Sequence, residues 1–275
     1  MPHRILILIS LFAASAAAAT PPLTPIEEGY RLMYNLQFTE AHRIFQDWLH
    51  QHPDDALAPA SDAAAYLFAE FDRLHILQSE FFTQEQHFYT DGKLTPDPEV
   101  KKKFDADLNW ARVLASRKPG DPNAMFAALL AVGLRSDYMA LIEKSYGAAF
   151  RDMKGARAQA DKLLARDPNY YDAWIAIGVE NYMLSIKAAP VRWLLRLWGG
   201  ETDRSVGIEK LRLTAEKGHL LAPFARLLLA VAALRDKDIN QARDILDSLA
   251  KKYPRNPLYT QELARLQPPQ RGLAR

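Results

Sequence analysis

The chain has 275 residues, of which 35 are lysine or arginine and 33 are aspartate or glutamate, so its formal net charge is only +2. Hydrophobic residues make up 49% and charged residues 25%, values typical of a folded protein that exclude disorder as the main state. The nearly neutral charge argues against a dedicated nucleic-acid-binding protein. Because cysteine is absent, disulfides, zinc–thiolate sites, thiol nucleophiles and iron–sulfur clusters are excluded.

Residues 1–19 have the features of a cleaved signal peptide. A short polar start at His3 and Arg4 precedes an apolar stretch over residues 5–14, which is too short to span a bilayer. The three alanines at 17–19 then fit the small-residue cleavage pattern. The alternative is an uncleaved anchor. We therefore expect an exported protein, either periplasmic or secreted, that can also associate with a membrane.

The rest of the chain, residues 20–266, is predicted to be a single all-α domain. It is rich in good helix formers, and it contains neither strict alternation nor a hairpin dipeptide that would predict strands. One helical face over residues 241–252 carries Ala242, Ile245, Leu246 and Leu249. Residues 220–234 are apolar at nearly every turn, which predicts a helix buried on more than one side.

Proline marks several predicted helix ends. Asp121-Pro122 predicts a helix start, because the carboxylate can accept backbone N–H bonds and proline has no N–H to leave unpaired. Asp167-Pro168 and Tyr253-Pro254 follow helical runs and predict helix ends. The irregular stretch 83–98 predicts a loop and is the one candidate for a subdivision of the domain. The proline-rich tail, 267–275, is predicted to be disordered.

Three segments share one pattern of small residues, apolar residues and proline. In each segment an alanine is followed by an apolar residue four positions later and by another apolar residue seven positions later. Proline stands twelve positions after the alanine. The three sets are Ala41, Phe45, Trp48 and Pro53; Ala156, Ala160, Leu163 and Pro168; and Ala242, Leu246, Leu249 and Pro254. A small residue, Gly29 or Ala230, stands twelve positions before the alanine in the first and third sets. The pattern is typical of tetratricopeptide repeats, in which small residues let paired helices approach closely. The alternative is an α-helical bundle without repeats.

A more specific pattern covers residues 178–218. A glycine–tyrosine helix is followed by Pro190, an apolar segment, the pair Gly199-Gly200, Asp203-Arg204, and a helix with Gly207 and Leu211. Here the C-terminal half resembles the tetratricopeptide repeat protein 39 family, its yeast relative in inclusion-body clearance, and uncharacterised exported bacterial repeat proteins. The resemblance implies an α-solenoid scaffold of helical hairpins, without a catalytic motif.

A binding surface is expected where the first helices of such repeats line a concave face. Aligning the repeat units places these candidate partner-binding residues on it: Asp172, Ile175, Val179, Tyr182, Phe224, Leu227 and Val231. This face is apolar and lacks the cationic clamp that some repeat proteins use for a peptide carboxylate. Either an apolar peptide or lipid-like ligand binds there, or another helix of the same chain covers the face.

The segment Pro190–Trp198 predicts a short amphipathic helix. Its apolar face holds Leu194, Leu197 and Trp198, and its arginines lie on the other side. Tryptophan and arginine on such a helix suit a membrane interface, so the candidate membrane-contact residues are Trp193, Trp198, Arg192 and Arg196. The interpretation that we favour from sequence is different: so short a helix gives little anchoring area, so we expect it to fill a gap between repeats and bury its tryptophans.

No motif for catalysis is present. The sequence lacks HExxH, GxSxG, GxxxxGK[ST] and GxGxxG. His50 and His52 are expected at a helix C-terminus, where the helix dipole favours histidine, rather than in a metal site. We therefore predict no enzyme activity, cofactor or metal.

The predicted function is that of an exported scaffold or adaptor that binds a protein or peptide, and no nucleic-acid partner is expected. The alternative is a peripheral membrane or lipid-handling protein that uses Pro190–Trp198 and the apolar concave face. An enzyme with a dispersed site is the least favoured hypothesis.

Overall fold

The structure is a computed structural model that describes residues 22–77 and 94–266. Within these residues the protein is all-helical, with twelve α-helices, one short 3₁₀ helix and no strand. The predicted signal peptide over 1–19, the tail over 267–275 and most of the irregular stretch 83–98 lie outside the described residues.

The first six helices are α1 (Pro25–Tyr34), α2 (Phe38–Gln51), α3 (Leu57–Arg73), α4 (Pro98–Arg117), α5 (Pro122–Leu141) and α6 (Tyr146–Arg166). A 3₁₀ helix, Tyr171–Ala173, leads directly into the seventh. The remaining six are α7 (Trp174–Ser185), α8 (Ala189–Leu197), α9 (Arg204–Lys217), α10 (Ala222–Arg235), α11 (Ile239–Lys252) and α12 (Pro257–Arg265).

The predicted helix boundaries at proline are confirmed. Asp121 is the N-cap of α5: its Oδ1 accepts the backbone N–H of Ala124 at 2.8 Å, and Pro122 takes the first helical position. Asp167 and Tyr253 end α6 and α11. Asp97, at the end of the irregular stretch, starts α4 in the same way as Asp121 starts α5.

Helices that are adjacent in sequence pack against each other through most of the described chain. In addition, α3 contacts α5, and α7 packs along α9 with the short α8 between them in sequence. Helices α3 and α4, on either side of residues 78–93, also pack together, and their buried side chains belong to one hydrophobic core that extends from Ile26 to Tyr259. That core is large enough to fix the positions of the surfaces described below.

Glycines allow α7 and α9 to approach closely. A Cβ atom added at Gly178 of α7 would lie 3.0 Å from the backbone nitrogen of Leu211 in α9. Conversely, a Cβ atom at Gly207 of α9 would lie 2.6 Å from the backbone nitrogen of Tyr182 in α7. Because each glycine faces the partner helix, a larger residue at Gly207 would force the two helices apart, and one at Gly178 would require Leu211 to shift.

The two ends of the described chain meet. The Tyr34 hydroxyl at the end of α1 donates to the carbonyl of Leu220 at 3.1 Å, and Asn256 Nδ2 donates to the Tyr34 carbonyl, 222 positions away, at 3.0 Å. The Tyr34 and Tyr253 rings lie 5.5 Å apart, centroid to centroid. The first helix is therefore covered by the last part of the chain, rather than ending the array freely.

Helix α5 is, within the described part of the chain, the one helix long and apolar enough to cross a membrane by length and composition. It has 20 residues, enough to span the hydrocarbon core of a bilayer. However, it packs against α3, α4 and α6 and buries Phe126, Leu130 and Leu134. These contacts are those of a helix at the centre of the protein's own core.

Candidate functional site

An open apolar cleft lies where the two ends of the chain meet, and we call it the terminal cleft. It is formed by α1, α3, α10, α11 and α12, and the side chains that line it are buried or half-buried. Its walls include Met33, Phe68, Phe224, Leu227, Leu234 and Leu258. Aromatic rings order one wall, because Phe224 and Tyr34 each pack against Phe68, with centroids 5.8 and 6.0 Å away.

The polar side chains at the terminal cleft are already bonded within the protein. Asn256 donates to the Tyr34 carbonyl and accepts the backbone N–H of Leu258 at 3.0 Å. The Glu262 carboxylate accepts a hydrogen bond from Arg265 at 2.6 Å. A ligand in the cleft would therefore meet mainly apolar surface.

The structure separates the candidate partner-binding residues into two groups. Phe224, Leu227 and Val231, from α10, line the terminal cleft. The others, Asp172, Ile175, Val179 and Tyr182, lie in the 3₁₀ helix and in α7 and do not line it. In this second group Val179 is half-buried and the other three residues are buried. Val231 of the first group is buried as well, whereas Phe224 and Leu227 are half-buried. The alignment of repeat units thus does not produce one continuous exposed face in the described chain.

Asp172 has a structural role in the fold. Its buried carboxylate accepts backbone N–H bonds from His219 at 3.0 Å, Leu220 at 3.2 Å and Leu221 at 2.8 Å. These groups immediately precede α10, so Asp172 satisfies N–H donors at the start of a helix almost fifty positions later in the chain. No local sequence pattern predicts these hydrogen bonds, because the two segments are distant in the chain.

Helix α8 turns its apolar side to solvent. Trp193, Leu197 and Trp198 are 65, 62 and 64% exposed, and no residue of α8 is buried. The expectation that this helix fills a gap between repeats and buries its tryptophans is therefore wrong. The physical reason is that the opposite face of the helix, which carries Arg192 and Arg196, makes the hydrogen bonds to the rest of the protein.

The arginines of α8 are directed toward the protein's own polar groups. Arg192 Nη1 donates to the carbonyls of Ser185 at 3.2 Å and Lys187 at 2.9 Å, and Arg196 Nε donates to Thr202 Oγ1 at 2.5 Å. A helix on the surface of a soluble protein usually places its apolar stripe against the core and its charges in water. In α8 the apolar side is in water as well: Arg196 is exposed, Arg192 is half-buried, and no apolar residue of the helix is buried.

The end of α8 is fixed by the glycine pair. Gly199 has φ +78°, a left-handed conformation that glycine adopts without steric cost. The Gly199 N–H donates to the Arg196 carbonyl at 3.0 Å and the Gly200 N–H to the Leu195 carbonyl at 2.8 Å, the two bonds of a Schellman motif. The helix therefore ends at a defined residue and leaves in a defined direction.

A buried carboxylate holds the segment that follows α8. Glu180 of α7 is fully buried and accepts from Lys154 at 3.1 Å, from Arg157 at 3.3 Å and from the backbone N–H of Glu201 at 3.2 Å. Lys154 also donates to the Gly199 carbonyl. Because α6 and α7 contribute these bonds, the segment that follows α8 is attached to the core by polar contacts.

A cluster of titratable side chains, His42, Asp62 and Asp107, was not predicted from the sequence. His42 Nδ1 forms a hydrogen bond with Asp62, whose second oxygen accepts from Gln46 Nε2 at 3.0 Å. Burial, and then the nearby charge of Asp62, raises the pKa of Asp107 to about 7. These residues come from α2, α3 and α4, so no spacing within one segment could reveal the cluster.

The described residues contain no group of three or more histidine, cysteine, aspartate or glutamate side chains that could hold a metal ion. His50 lies in the last turn of α2 and His52 is the residue that caps its end, as expected from sequence. The His52 ring packs on Trp48, with centroids 3.8 Å apart.

No protein-family model, curated protein or solved structure matches the chain.

Proposed function

We propose that the protein is an exported, non-catalytic scaffold of the tetratricopeptide type that binds a protein or peptide partner through apolar contacts. The observation that carries this proposal is the terminal cleft, an apolar recess at which Phe68, Phe224 and Leu227 are half-buried rather than fully buried. Concave apolar sites are where ligands and partners commonly bind. Three candidate residues from the sequence, Phe224, Leu227 and Val231, belong to it.

The packing of the repeat positions supports the tetratricopeptide assignment. Ala41, Ala156 and Ala242 are buried, and so are the residues four positions on, which are Phe45, Ala160 and Leu246. At the next repeat position Leu163 and Leu249 are buried and Trp48 is partly buried. A Cβ atom at Gly29 would overlap the Phe45 ring, which is the close helix–helix approach that small residues permit in such hairpins. The paired helices would be α1 with α2, α5 with α6, and α10 with α11, and each of these pairs packs together.

An amphipathic helix is the occupant that best fits the terminal cleft. The polar side chains at the cleft already have partners in the chain, so few donors or acceptors remain for the backbone of an extended peptide. A helix satisfies its own backbone hydrogen bonds and needs to supply only an apolar face. We therefore expect two or three large apolar side chains of the partner to contact Phe68, Phe224 and Leu227.

The test is site-specific photo-crosslinking in the native envelope. A benzophenone amino acid placed at Phe224 should crosslink a recurrent protein partner, whereas the same probe at Trp110, an exposed residue of α4 outside the cleft, should not. The identified partner should then bind the Leu227→Glu variant at least about tenfold more weakly, because a charge would be buried against it. Identical crosslinks from both probe positions, or an unchanged affinity in Leu227→Glu, would contradict the proposal.

A further inference from the structure

Helix α8 combines three features that a purely structural helix does not need. Its residues follow one another at about 100° around the axis, which places Val191, Trp193, Leu194, Leu197 and Trp198 on one broad arc. All five are among the exposed large hydrophobic residues of the described chain. The polar bonds of Arg192 and Arg196 to neighbouring loops orient that arc away from the core.

The apolar arc is held in place rather than left loose. Arg192 ties the start of α8 to the end of α7, and the Schellman motif at Gly199 defines its end. Beyond it, the Glu201 and Asp203 backbone N–H groups donate to Glu180 and Asn181 of α7. A fixed protruding helix can present side chains to a surface without first paying the entropy of ordering them.

The charge around α8 differs from that of the whole chain. Residues 186–200 contain three cationic side chains, Lys187, Arg192 and Arg196, and no acidic residue; the exposed Glu201 and Asp203 follow directly after this segment. The complete chain, by contrast, carries a net charge of only +2. Positive charge beside an exposed tryptophan-containing face is complementary to an anionic lipid surface, where indole rings favour the interface.

The shape of α8 also favours a bilayer over a protein groove. Trp193 and Trp198 stand five positions apart and extend from the surface of a convex, nine-residue helix. Such a helix can lie in the plane of the interface, with its apolar arc among the upper acyl chains and its cations at headgroup level. Each arginine has five N–H donors, so its bonds to the protein leave others for lipid phosphate.

We propose that α8 is a membrane-contact element that places Trp193, Leu197 and Trp198 in the interface of an anionic phospholipid bilayer, with Arg192 and Arg196 near the lipid phosphates. The inference does not rest on the terminal cleft, which belongs to other helices. The small size of α8 also limits the membrane affinity that we expect. A single short helix binds weakly, so anionic lipid should be required as well as the apolar arc.

The experiment is flotation of the mature protein, residues 20–275, with two kinds of vesicle: phosphatidylcholine alone, and phosphatidylcholine containing about 30 mol% phosphatidylglycerol. The protein should float with the anionic vesicles, its tryptophan emission should shift to shorter wavelength, and added salt should weaken the binding. The double variant Trp193→Ala with Trp198→Ala should bind at least about tenfold more weakly and lose the shift. The matched control, Trp110→Ala, removes an exposed tryptophan from α4 and should bind like the original protein.

Because both tryptophans are exposed, the double variant should keep its circular dichroism spectrum and melting temperature, and loss of binding can then be assigned to the surface. Failure of the original protein to float with anionic vesicles would overturn the proposal, as would equal binding by the double variant. If the double variant instead loses a protein partner while the original protein ignores both vesicles, α8 is a protein-binding helix and the membrane proposal is wrong.

Discussion

At the scale of single residues, the fold depends on places where nothing larger than hydrogen fits. Gly207 is the sharpest case, since an added methyl group would lie 2.6 Å from a backbone nitrogen and 2.9 Å from the Cα atom of Tyr182. A flexible side chain can move aside from such a contact, but the backbone of a packed helix cannot do so without separating the helices. We therefore expect α7 and α9 to be sensitive to substitution at this point.

Gly207→Ala should lower the free energy of unfolding by about 1–3 kcal/mol, the usual cost of overpacking. The control is Gly133→Ala in α5, where the added methyl group would meet no atom within 4 Å. There, the higher helix propensity of alanine should leave stability unchanged or raise it by up to about 1 kcal/mol. Urea denaturation followed by circular dichroism measures both variants, and equal effects at the two positions would contradict the steric argument.

Asp107 should make stability depend on pH. Burial raises its pKa in the folded protein to about 7, above the ordinary value of 3.8. Protonation is thus favoured by folding, and the contribution to stability is fully present below about pH 3.8 and lost as the pH rises through about 7. Asp107→Asn removes the charged form, so the melting temperature should rise by about 2–4 °C at pH 8 and change little at pH 5.

The matched control for Asp107→Asn is Glu99→Gln, which removes an exposed carboxylate from the same helix. Its melting temperature should follow that of the original protein at both pH values. A shift in Asp107→Asn of equal size at pH 5 and pH 8 would mean that the buried carboxyl does not titrate in this range.

At the scale of secondary-structure elements, periodicity and capping residues carried most of the information about α-helices. Asp121-Pro122 predicted a start and Asp167-Pro168 an end, because the capping chemistry is local. The orientation of α8 could not be obtained in the same way. An amphipathic pattern says that the two sides of a helix differ, whereas the side that faces the protein depends on Ser185, Lys187 and Thr202, which receive the arginine hydrogen bonds.

The orientation of α8 should depend on Glu180. In Glu180→Gln the buried charge is removed, so the pairings with Lys154 and Arg157 weaken, although the amide oxygen can still accept one hydrogen bond. Amide hydrogen exchange over residues 189–203 should become at least about tenfold faster, while exchange in α1 and α2 stays unchanged. The corresponding control, Asp161→Asn, removes the exposed partner of Arg157 and should leave α8 protected. Unchanged exchange in Glu180→Gln would mean that α8 is held by other contacts.

At the scale of the whole molecule, the arrangement of the ends explains why the sequence located only part of the terminal cleft. Phe224, Leu227 and Val231 came from the repeat pattern of one helix. Met33 and Phe68 join them only because α1 and α3 are brought to α10 by long-range contacts such as the one from Tyr34 to Leu220. Local patterns in a sequence do not show which distant segments meet. The contribution of Met33 and Phe68 to the cleft therefore could not be predicted from the sequence.

Contact between the ends also makes a prediction about cooperativity. In an open repeat array each unit contacts only its neighbours, so removing the last helix weakens mainly the unit before it. Here α12 follows Asn256 and Arg255, which bond directly to Tyr34 and Asn35 at the end of α1. Truncation of residues 255–275 removes both bonds together with α12 and should therefore expose α1 as well as α11.

Hydrogen exchange of the truncated chain can distinguish an open repeat array from a molecule whose two ends stabilise each other. If the ends support each other, protection should fall in α1 and α11 together, while α5 and α6, which share no packed interface with α12, should retain theirs. Tyr34→Phe provides a milder test, because it removes the hydroxyl bond to Leu220 and keeps the ring that packs on Tyr253 and Phe68. It should cost about 0.5–1.5 kcal/mol in the full chain and less in the truncated one, since part of the end-to-end contact is then already lost. Loss of protection confined to α11 would instead identify the molecule as an open array whose first helix is stable without the last.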